Sequence, residues 1–457
     1  MIPPGPPQLG YAVFTHLKKY ISRAKEILFK EKMLLFFAAA GLIGFSGSLL
    51  VLLFRESFLD LRGIFVPQAA GMVALAKGLP WWGRLTLPVA GGVLAGALLD
   101  FALKRTPRHG SHDYLEAITI GDGKLGIRET LLQSAASLCS ISSGASIGRE
   151  GPMVQLAAMA GSALGRVFRL SPENLRLLVA CGATAGLAAA YNAPIAGLVF
   201  VVEIAFGRLS KQTLTPMIVA AVTAVAVARH YFGVSPVYRI PEISLSADWN
   251  IVTYIGLGVL CGFTAPVFRY ALDVSRSRFR RLGRGRIATM ALGGLGVGLI
   301  SVWLPDVWGN GYSVVNSLLG ADWTWGALFL ILVFKIIATS LSYGSGAVGG
   351  VFTPTIFIGA ALGALYGHAF SHSPLVSNAV FLSYVLVGMG AFLSSMTYAP
   401  LMSILMIYEM TQSYQIVLPL MLACVISYFI AQKIRKDSIY DRNEPSNAPK
   451  NTSCSSS

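Results

Sequence analysis

Two interruptions of the same kind sit 202 residues apart in this 457-residue chain, each in a largely apolar stretch. The first is Ser143-Gly144-Ala145-Ser146-Ile147-Gly148-Arg149-Glu150-Gly151-Pro152, and the second is Ser345-Gly346-Ala347-Val348-Gly349-Gly350-Val351-Phe352-Thr353-Pro354. Behind each comes an Ala-Pro pair with a glutamate nine residues after its proline: Ala193-Pro194 with Glu203, and Ala399-Pro400 with Glu409. The order is kept. The distance from the first proline to the second is 42 residues in one half and 46 in the other. Matched breaks of this kind describe two related halves. In membrane transporters, paired Gly/Pro-interrupted segments mark an ion or substrate site near the bilayer midplane.

The breaks lie in a chain built for lipid. Hydrophobic residues make up 54% and charged residues 12%, about half the charge of a soluble domain. Apolar stretches recur at 33–54, 175–206, 288–304, 325–337, 351–370 and 417–430. Several reach the roughly 20 residues a spanning helix needs, and the shorter ones suit tilted, re-entrant or broken helices. Small residues inside them, as in Gly91-Gly92-Val93-Leu94-Ala95-Gly96-Ala97, let membrane helices pack closely. The class is an all-α polytopic membrane protein occupying 33–440. It is preceded by an amphipathic surface segment (1–32) and followed by a polar, Ser-rich tail (441–457) read as disordered. The N-terminal segment does not read as a cleaved signal peptide, because its basic flank is long and no small-residue cleavage site follows.

The net charge of +15 invites a nucleic-acid reading, which the placement of the charges excludes. Basic residues flank apolar spans at the N-terminus, at 104–108, at 276–286 and at 433–436. This is the positive-inside pattern. It puts both termini and the Arg-rich 276–286 turn in the cytoplasm, for a multi-pass protein of the cell's inner (plasma) membrane. Segments 235–250 and 371–378 are poor in Lys and Arg and are expected to face outward. The five cysteines are scattered and form neither a disulfide framework nor a metal site, and no cofactor is implied.

The chemistry is expected in the breaks. At Gly148-Arg149-Glu150-Gly151-Pro152 a helix can stop and restart, leaving free N–H groups at the new N-terminus. Such a terminus attracts anions. Glu150 lies in the same break. Ionised, its carboxylate can occupy the anion position itself; protonated, it is neutral and can leave. One side chain could be gate and proton carrier, the alternative being a structural Arg149–Glu150 pair. Around Val351-Phe352 there is no ionisable side chain, so any ligand contact comes from backbone amides, unless the break is only a kink.

At these residues the sequence resembles the CLC family of chloride channels and chloride/proton antiporters. The matching motifs are Gly148 to Pro152, Gly350 to Pro354, Tyr191-Asn192-Ala193-Pro194-Ile195-Ala196-Gly197, Trp308-Gly309-Asn310-Gly311-Tyr312-Ser313, Glu409-Met410-Thr411 and Ser438-Ile439-Tyr440. Asp113 to Ala117 and Arg435 to Tyr440 resemble the bacterial ClcB-type branch. The resemblance implies two inverted-topology repeats of tilted and broken helices, roughly 33–233 and 250–440. It also implies a homodimer with one pore per subunit. It makes Glu150 the external gate, and it gives the central chloride the amides of Val351 and Phe352 and the hydroxyl of Tyr440, with Gly148 and Arg149 also expected to bind chloride. Without the resemblance, Tyr440 reads as an interfacial belt tyrosine. The family's C-terminal nucleotide-binding domains are expected to be absent, since 17 residues follow Tyr440.

Two departures stand out. The family's first anion motif is Gly-Ser-Gly-Ile-Pro, whereas this chain reads Arg108-His109-Gly110-Ser111-His112-Asp113-Tyr114. Ser111 is either an ion ligand or an N-cap for the helix starting near Asp113; His109 and His112 read as polar loop residues. Second, Ile204 falls where the family's internal proton-transfer glutamate would be, and isoleucine carries no proton. Glu203 then has either a structural role shared with Glu409 or a place on a different proton path. The function expected is chloride transport, as chloride/proton exchange gated by Glu150 or as a passive, voltage- or pH-gated channel. No hydrolase, metalloprotease or P-loop motif points to an enzyme, and no residue favours fluoride over chloride.

Overall fold

The computed structural model describes residues 9–66, 71–105, 111, 113–207, 210–234, 236–238, 240, 251–320, 323–370 and 378–441. The tail 442–457, His109, Gly110 and His112, and most of the two segments expected to face outward fall outside these.

The first half holds α1 (Leu9–Phe65), α2 (Met72–Gly78), α3 (Trp81–Arg105), α4 (Tyr114–Thr119), α5 (Ile127–Ser142), α6 (Glu150–Val167), α7 (Pro172–Tyr191), α8 (Pro194–Val201) and α9 (Lys211–Phe232). The second holds α10 (Ile251–Arg281), α11 (Arg286–Trp303), α12 (Tyr312–Leu318), α13 (Trp325–Gly344), α14 (Phe352–Ala369), α15 (Asn378–Thr397), α16 (Pro400–Thr411) and α17 (Val417–Ile434). A π turn, Val202–Phe206, extends α8. Among the described residues nine helices are long and apolar enough to cross a membrane, and the only β pairing consists of two isolated bridges. The N-terminal segment is continuous with the first span, because no proline interrupts the chain between Leu9 and Phe65.

The two halves repeat in conformation as well as in sequence. α6 and α14 are each 18 residues long, and α7 and α15 are each 20. α6 packs on α7 as α14 packs on α15, and α1 on α9 as α10 on α17. The residue before each Ala-Pro pair, Asn192 or Tyr398, has φ 56°. Ala193 and Ala399 then share φ −125°, with ψ 78° and 76°. The following proline keeps the alanine out of the helical region and starts the next helix itself.

Burial separates the core from the lipid-facing shell. The most apolar windows of α7 and of 380–397 in α15 are 78% and 83% buried, whereas no other span exceeds 44%. In the first half α6 and α8 pack on the buried α7, and in the second α14 and α16 pack on the buried α15. At the periphery α3 lies along α11, with Arg84 near the start of α3 donating to the Val302 carbonyl near the end of α11 (3.3 Å). The pair is thus antiparallel. Exposed Trp81, Trp82 and Trp303 share one end, as an interfacial aromatic belt does, and the exposed arginines of the turn into α11 lie at the other.

Candidate functional site

The site is built where the two breaks meet. After α5 the chain turns at Gly144, whose φ of 109° and whose contact with the Trp308 ring (2.6 Å from a hypothetical Cβ) both demand glycine. The Gly148 N–H then donates to the Gly350 carbonyl (2.6 Å), and the Gly350 N–H donates back to the Gly148 carbonyl (2.8 Å). The Ser146 N–H donates to the Ser342 hydroxyl (3.0 Å), and the Ser146 and Thr339 hydroxyls lie 3.2 Å apart. Two loops 202 residues apart in sequence are thereby held as one unit. Immediately after the bridge, α6 starts at Glu150 and α14 at Phe352, and the first N–H groups of each have no intrahelical acceptor.

Both starts open on a cavity of about 420 Å³. Its walls include Glu150, Gly151, Val351 and Phe352 from the breaks and Asp113, Gln155 and Tyr440 from elsewhere in the chain. Glu150 is 3% exposed. Its carboxylate folds back over Gly148, where a Cβ would collide with Oε2. The Asn310 amide donates to Oε1 at 3.5 Å, and Oε2 is buried without a hydrogen-bond partner among the described residues. Nearby, the Thr353 and Tyr191 hydroxyls share a hydrogen bond of 3.0 Å.

Tyr440 reaches the cavity from beyond the last helix. Its ring meets Phe200 edge-on at 5.5 Å, and Phe200 meets Phe352 at 6.3 Å. The segment carrying it is tied down at several points. The Ile439 N–H donates to the Met396 carbonyl (3.0 Å), and Ser438 Oγ accepts from the Tyr440 and Asp441 amides (3.2 Å each). Arg435 pairs with Asp437 (2.8 Å) and with Asp273 of α10 (2.7 Å), and Asp273 also takes Arg269 (2.6 Å). The Arg435 hydrogen bond holds the Asp437 carboxyl below the usual carboxylate range, and Asp437 in turn raises Arg435.

Of the residues expected from sequence, Glu150, Val351, Phe352 and Tyr440 line the cavity. Gly148 and Arg149, the two residues before Glu150, are not among its lining residues. Arg149 lies over the rings of Phe58 and Tyr312 (5.4 and 5.9 Å) and makes no ion pair with Glu150 among the described residues. Ser111 lies outside the lining, its N–H donating to the Lys124 carbonyl (3.0 Å). The cap of α4 is Asp113, whose carboxylate accepts from the Glu116 N–H (2.9 Å).

Glu203 and Glu409 do something the sequence expressed only as a shared role. Each caps the helix of the opposite half. Glu409 accepts from the Ile195 and Ala196 amides at the start of α8 (3.1 and 2.7 Å). Glu203 accepts from the Leu401 and Met402 amides at the start of α16 (3.3 and 2.8 Å). Ile204, beside Glu203 in the π turn, packs on the hydrophobic core. Among the described residues no His/Cys/Asp/Glu cluster could hold a metal.

Sequence reasoning missed Asp113 and Gln155 as cavity residues. It also missed Lys335, although a lone lysine inside an apolar span is itself a signal. Asp113 carried no signal, since only the tertiary fold brings α4 to the cavity.

A family model described as voltage gated chloride channel matches residues 91–432. The chain belongs to that family, the CLC family. A ClcB-like protein of Ralstonia nicotianae is 54% identical over 410 residues, covering 89% of this chain and 95% of that one. A Salmonella typhimurium protein named voltage-gated ClC-type chloride channel ClcB is 40% identical over 408 residues, covering 88% and 97%. Among solved structures, a slow cyanobacterial Cl−/H+ antiporter matches with a TM-score of 0.76 and 26% identity, covering 89% of this chain and 96% of that one. A multi-pass membrane protein of this family is what the helices and the paired breaks describe.

Proposed function

We propose that this protein moves chloride across the membrane in exchange for protons, with Glu150 as gate and proton acceptor. One observation carries the reading: a buried carboxylate folded over the Gly148–Gly350 bridge, where the N-termini of α6 and α14 converge on one cavity. Helix N-termini favour an anion there. The ionised Glu150 side chain is one such anion and chloride is another, so the two compete. Protonation neutralises Glu150, frees it to swing out and lets chloride enter. On return, the carboxylate releases its proton on the other side. The amides of Val351 and Phe352 and the Tyr440 hydroxyl hold the ion, while Gly148 shapes the crossing.

Glu203 engages both carboxylate oxygens with the α16 amides. We therefore read it as a cap and route the inner proton through water in the cavity. Ile204 supports a second reading, passive chloride conduction with Glu150 as gate only. We further propose a homodimer in the inner membrane, with both termini and the Arg-rich turn before α11 in the cytoplasm. The Lys- and Arg-rich flanks at 276–286 and 433–436 support that orientation.

The test is reconstitution in liposomes with a chloride gradient and no proton gradient, following external pH with and without valinomycin. Proton movement driven uphill by chloride establishes exchange. Chloride flux without it establishes the passive pathway.

A further inference from the structure

Lys335 is the most completely buried charged side chain among the described residues, 0% exposed in the middle of α13. A lysine in such a place is costly unless its donors are used. Its Nζ donates to the Val307 carbonyl (3.0 Å) and to the Gly309 carbonyl (2.7 Å), and it lies 5.1 Å from the centroid of the Phe357 ring in α14. No carboxylate lies within ion-pairing distance of it among the described residues. The acid beside the gripped segment, Asp306, is paired with Lys77 (3.0 Å).

What the ammonium grips is the connection into α12, an irregular stretch in which Gly309 and Gly311 both have positive φ (67° and 98°). Between them stands Asn310. Its Nδ2 donates to Glu150 Oε1 (3.5 Å), and its Oδ1 accepts from the Tyr312 N–H (3.4 Å). The same stretch carries the fully buried Trp308, which lies against Gly144 at the start of the first break. One cation thus fixes the short loop that touches both the gate and the turn leading to it. Its bonds to the two carbonyls are charge-assisted and stronger than neutral ones.

We propose that Lys335 is a positioning residue for the gate: by pinning the Val307 and Gly309 carbonyls it presents the Asn310 amide to the Glu150 carboxylate and holds that carboxylate in the closed place. This rests on Glu150 being the gate.

The test is chloride efflux from liposomes in a set of crossed variants, each first shown to be folded by size-exclusion profile. Lys335→Met is expected to raise efflux about fivefold, the rate equivalent of one lost hydrogen bond. In the Glu150→Gln background the same substitution changes efflux by less than about twofold, since the group it positions no longer carries charge. Asn310→Ala reproduces the rise, and adding Lys335→Met to it adds nothing. Lys335→Arg, which keeps charged donors, restores wild-type efflux.

Wild-type efflux from folded Lys335→Met, or an equal effect of Lys335→Met in the Glu150→Gln background, overturns the proposal. Should Lys335→Met not fold, Lys335→Gln enters the same crosses with the same two outcomes. Wild-type efflux from Asn310→Ala overturns it independently. Should Glu150→Gln itself leave gating untouched, the gate assignment fails, while the Lys335–Asn310 cross still reports whether those two residues act as one.

Discussion

The two helix breaks share a backbone and differ in one consequential side chain. Gly148 and Gly350 pair with each other through matched N–H to carbonyl bonds, and the next helix begins two residues later in both halves, at Glu150 and at Phe352. The repeat therefore places an ionisable carboxylate and an apolar ring at equivalent points. Symmetry supplies the shape of the site, two helix starts aimed at one cavity. Asymmetry supplies what the site can do, because Glu150 can change its charge and Phe352 cannot. The pair Glu203 and Glu409 shows the opposite case. There both halves keep the acid, and each acid caps the other half's helix. Where the acid is duplicated it serves architecture; where it is single it is available for coupling.

The largest effect is expected where the asymmetry lies. Glu150→Gln places a neutral amide at the proposed gate, so chloride-driven proton movement in liposomes should fall to the leak level while chloride flux persists. Coupled protons surviving in that variant would sink the gate assignment and the contrast with Phe352.

Next come the duplicated acids. Glu203→Ala and Glu409→Ala should each destabilise the protein by about 1–2 kcal/mol, the usual cost of losing a helix cap, with similar shifts in thermal unfolding in detergent. Markedly unequal losses would show that the two caps are not equivalent. Loss of proton coupling in Glu203→Gln, with stability retained, would give Glu203 a role its mirror partner lacks.

A smaller change is expected at the cavity wall. Tyr440→Phe keeps the ring stack with Phe200 but removes the hydroxyl, and chloride affinity by calorimetry should weaken about tenfold. Unchanged affinity would leave the ion to the backbone amides alone.

The smallest effect concerns the charged ties behind Tyr440. The folded-state Asp437 carboxyl titrates below its unfolded value of about 3.9, because Arg435 hydrogen-bonds its ionised form. Its contribution is present above that unfolded value and is lost as pH falls through the lower folded one. Asp437→Asn should therefore be slightly less stable than wild type near neutral pH, by less than about 1 kcal/mol for so accessible a pair. The difference should shrink below about pH 4. A constant difference across pH would mean that packing, not charge, holds the segment.

Much of this molecule is written in its sequence because lipid allows few solutions. Backbone at membrane depth must satisfy itself in helices, so long apolar stretches announce spans. Gly-Pro interruptions announce broken helices, and a twofold recurrence announces two halves. Glu150 was legible for the same reason: a carboxylate inside such a break has few structural excuses. The break at Val351-Phe352 was legible as free amides or a kink, without a choice between them, and Tyr440 entered only through resemblance, since a lone tyrosine has several readings. Ser111 shows the limit from the other side. Its residue type suited a ligand or a cap, yet the fold gives the cap to Asp113, two residues on.

What the sequence determined by itself, then, was an inventory: helical spans, two breaks, a single acid in one of them, and a charge bias along the chain. Tertiary structure alone decided the pairings. It set Gly148 against Gly350, each Ala-Pro helix against the other half's glutamate, Asp113 and Tyr440 at one cavity, and Lys335 under the loop that carries Asn310. The physical reason is range. Helix formation, capping and apolar periodicity act over a few residues and leave local marks. Hydrogen bonds across 200 residues depend on how whole helices dock, which no local pattern encodes.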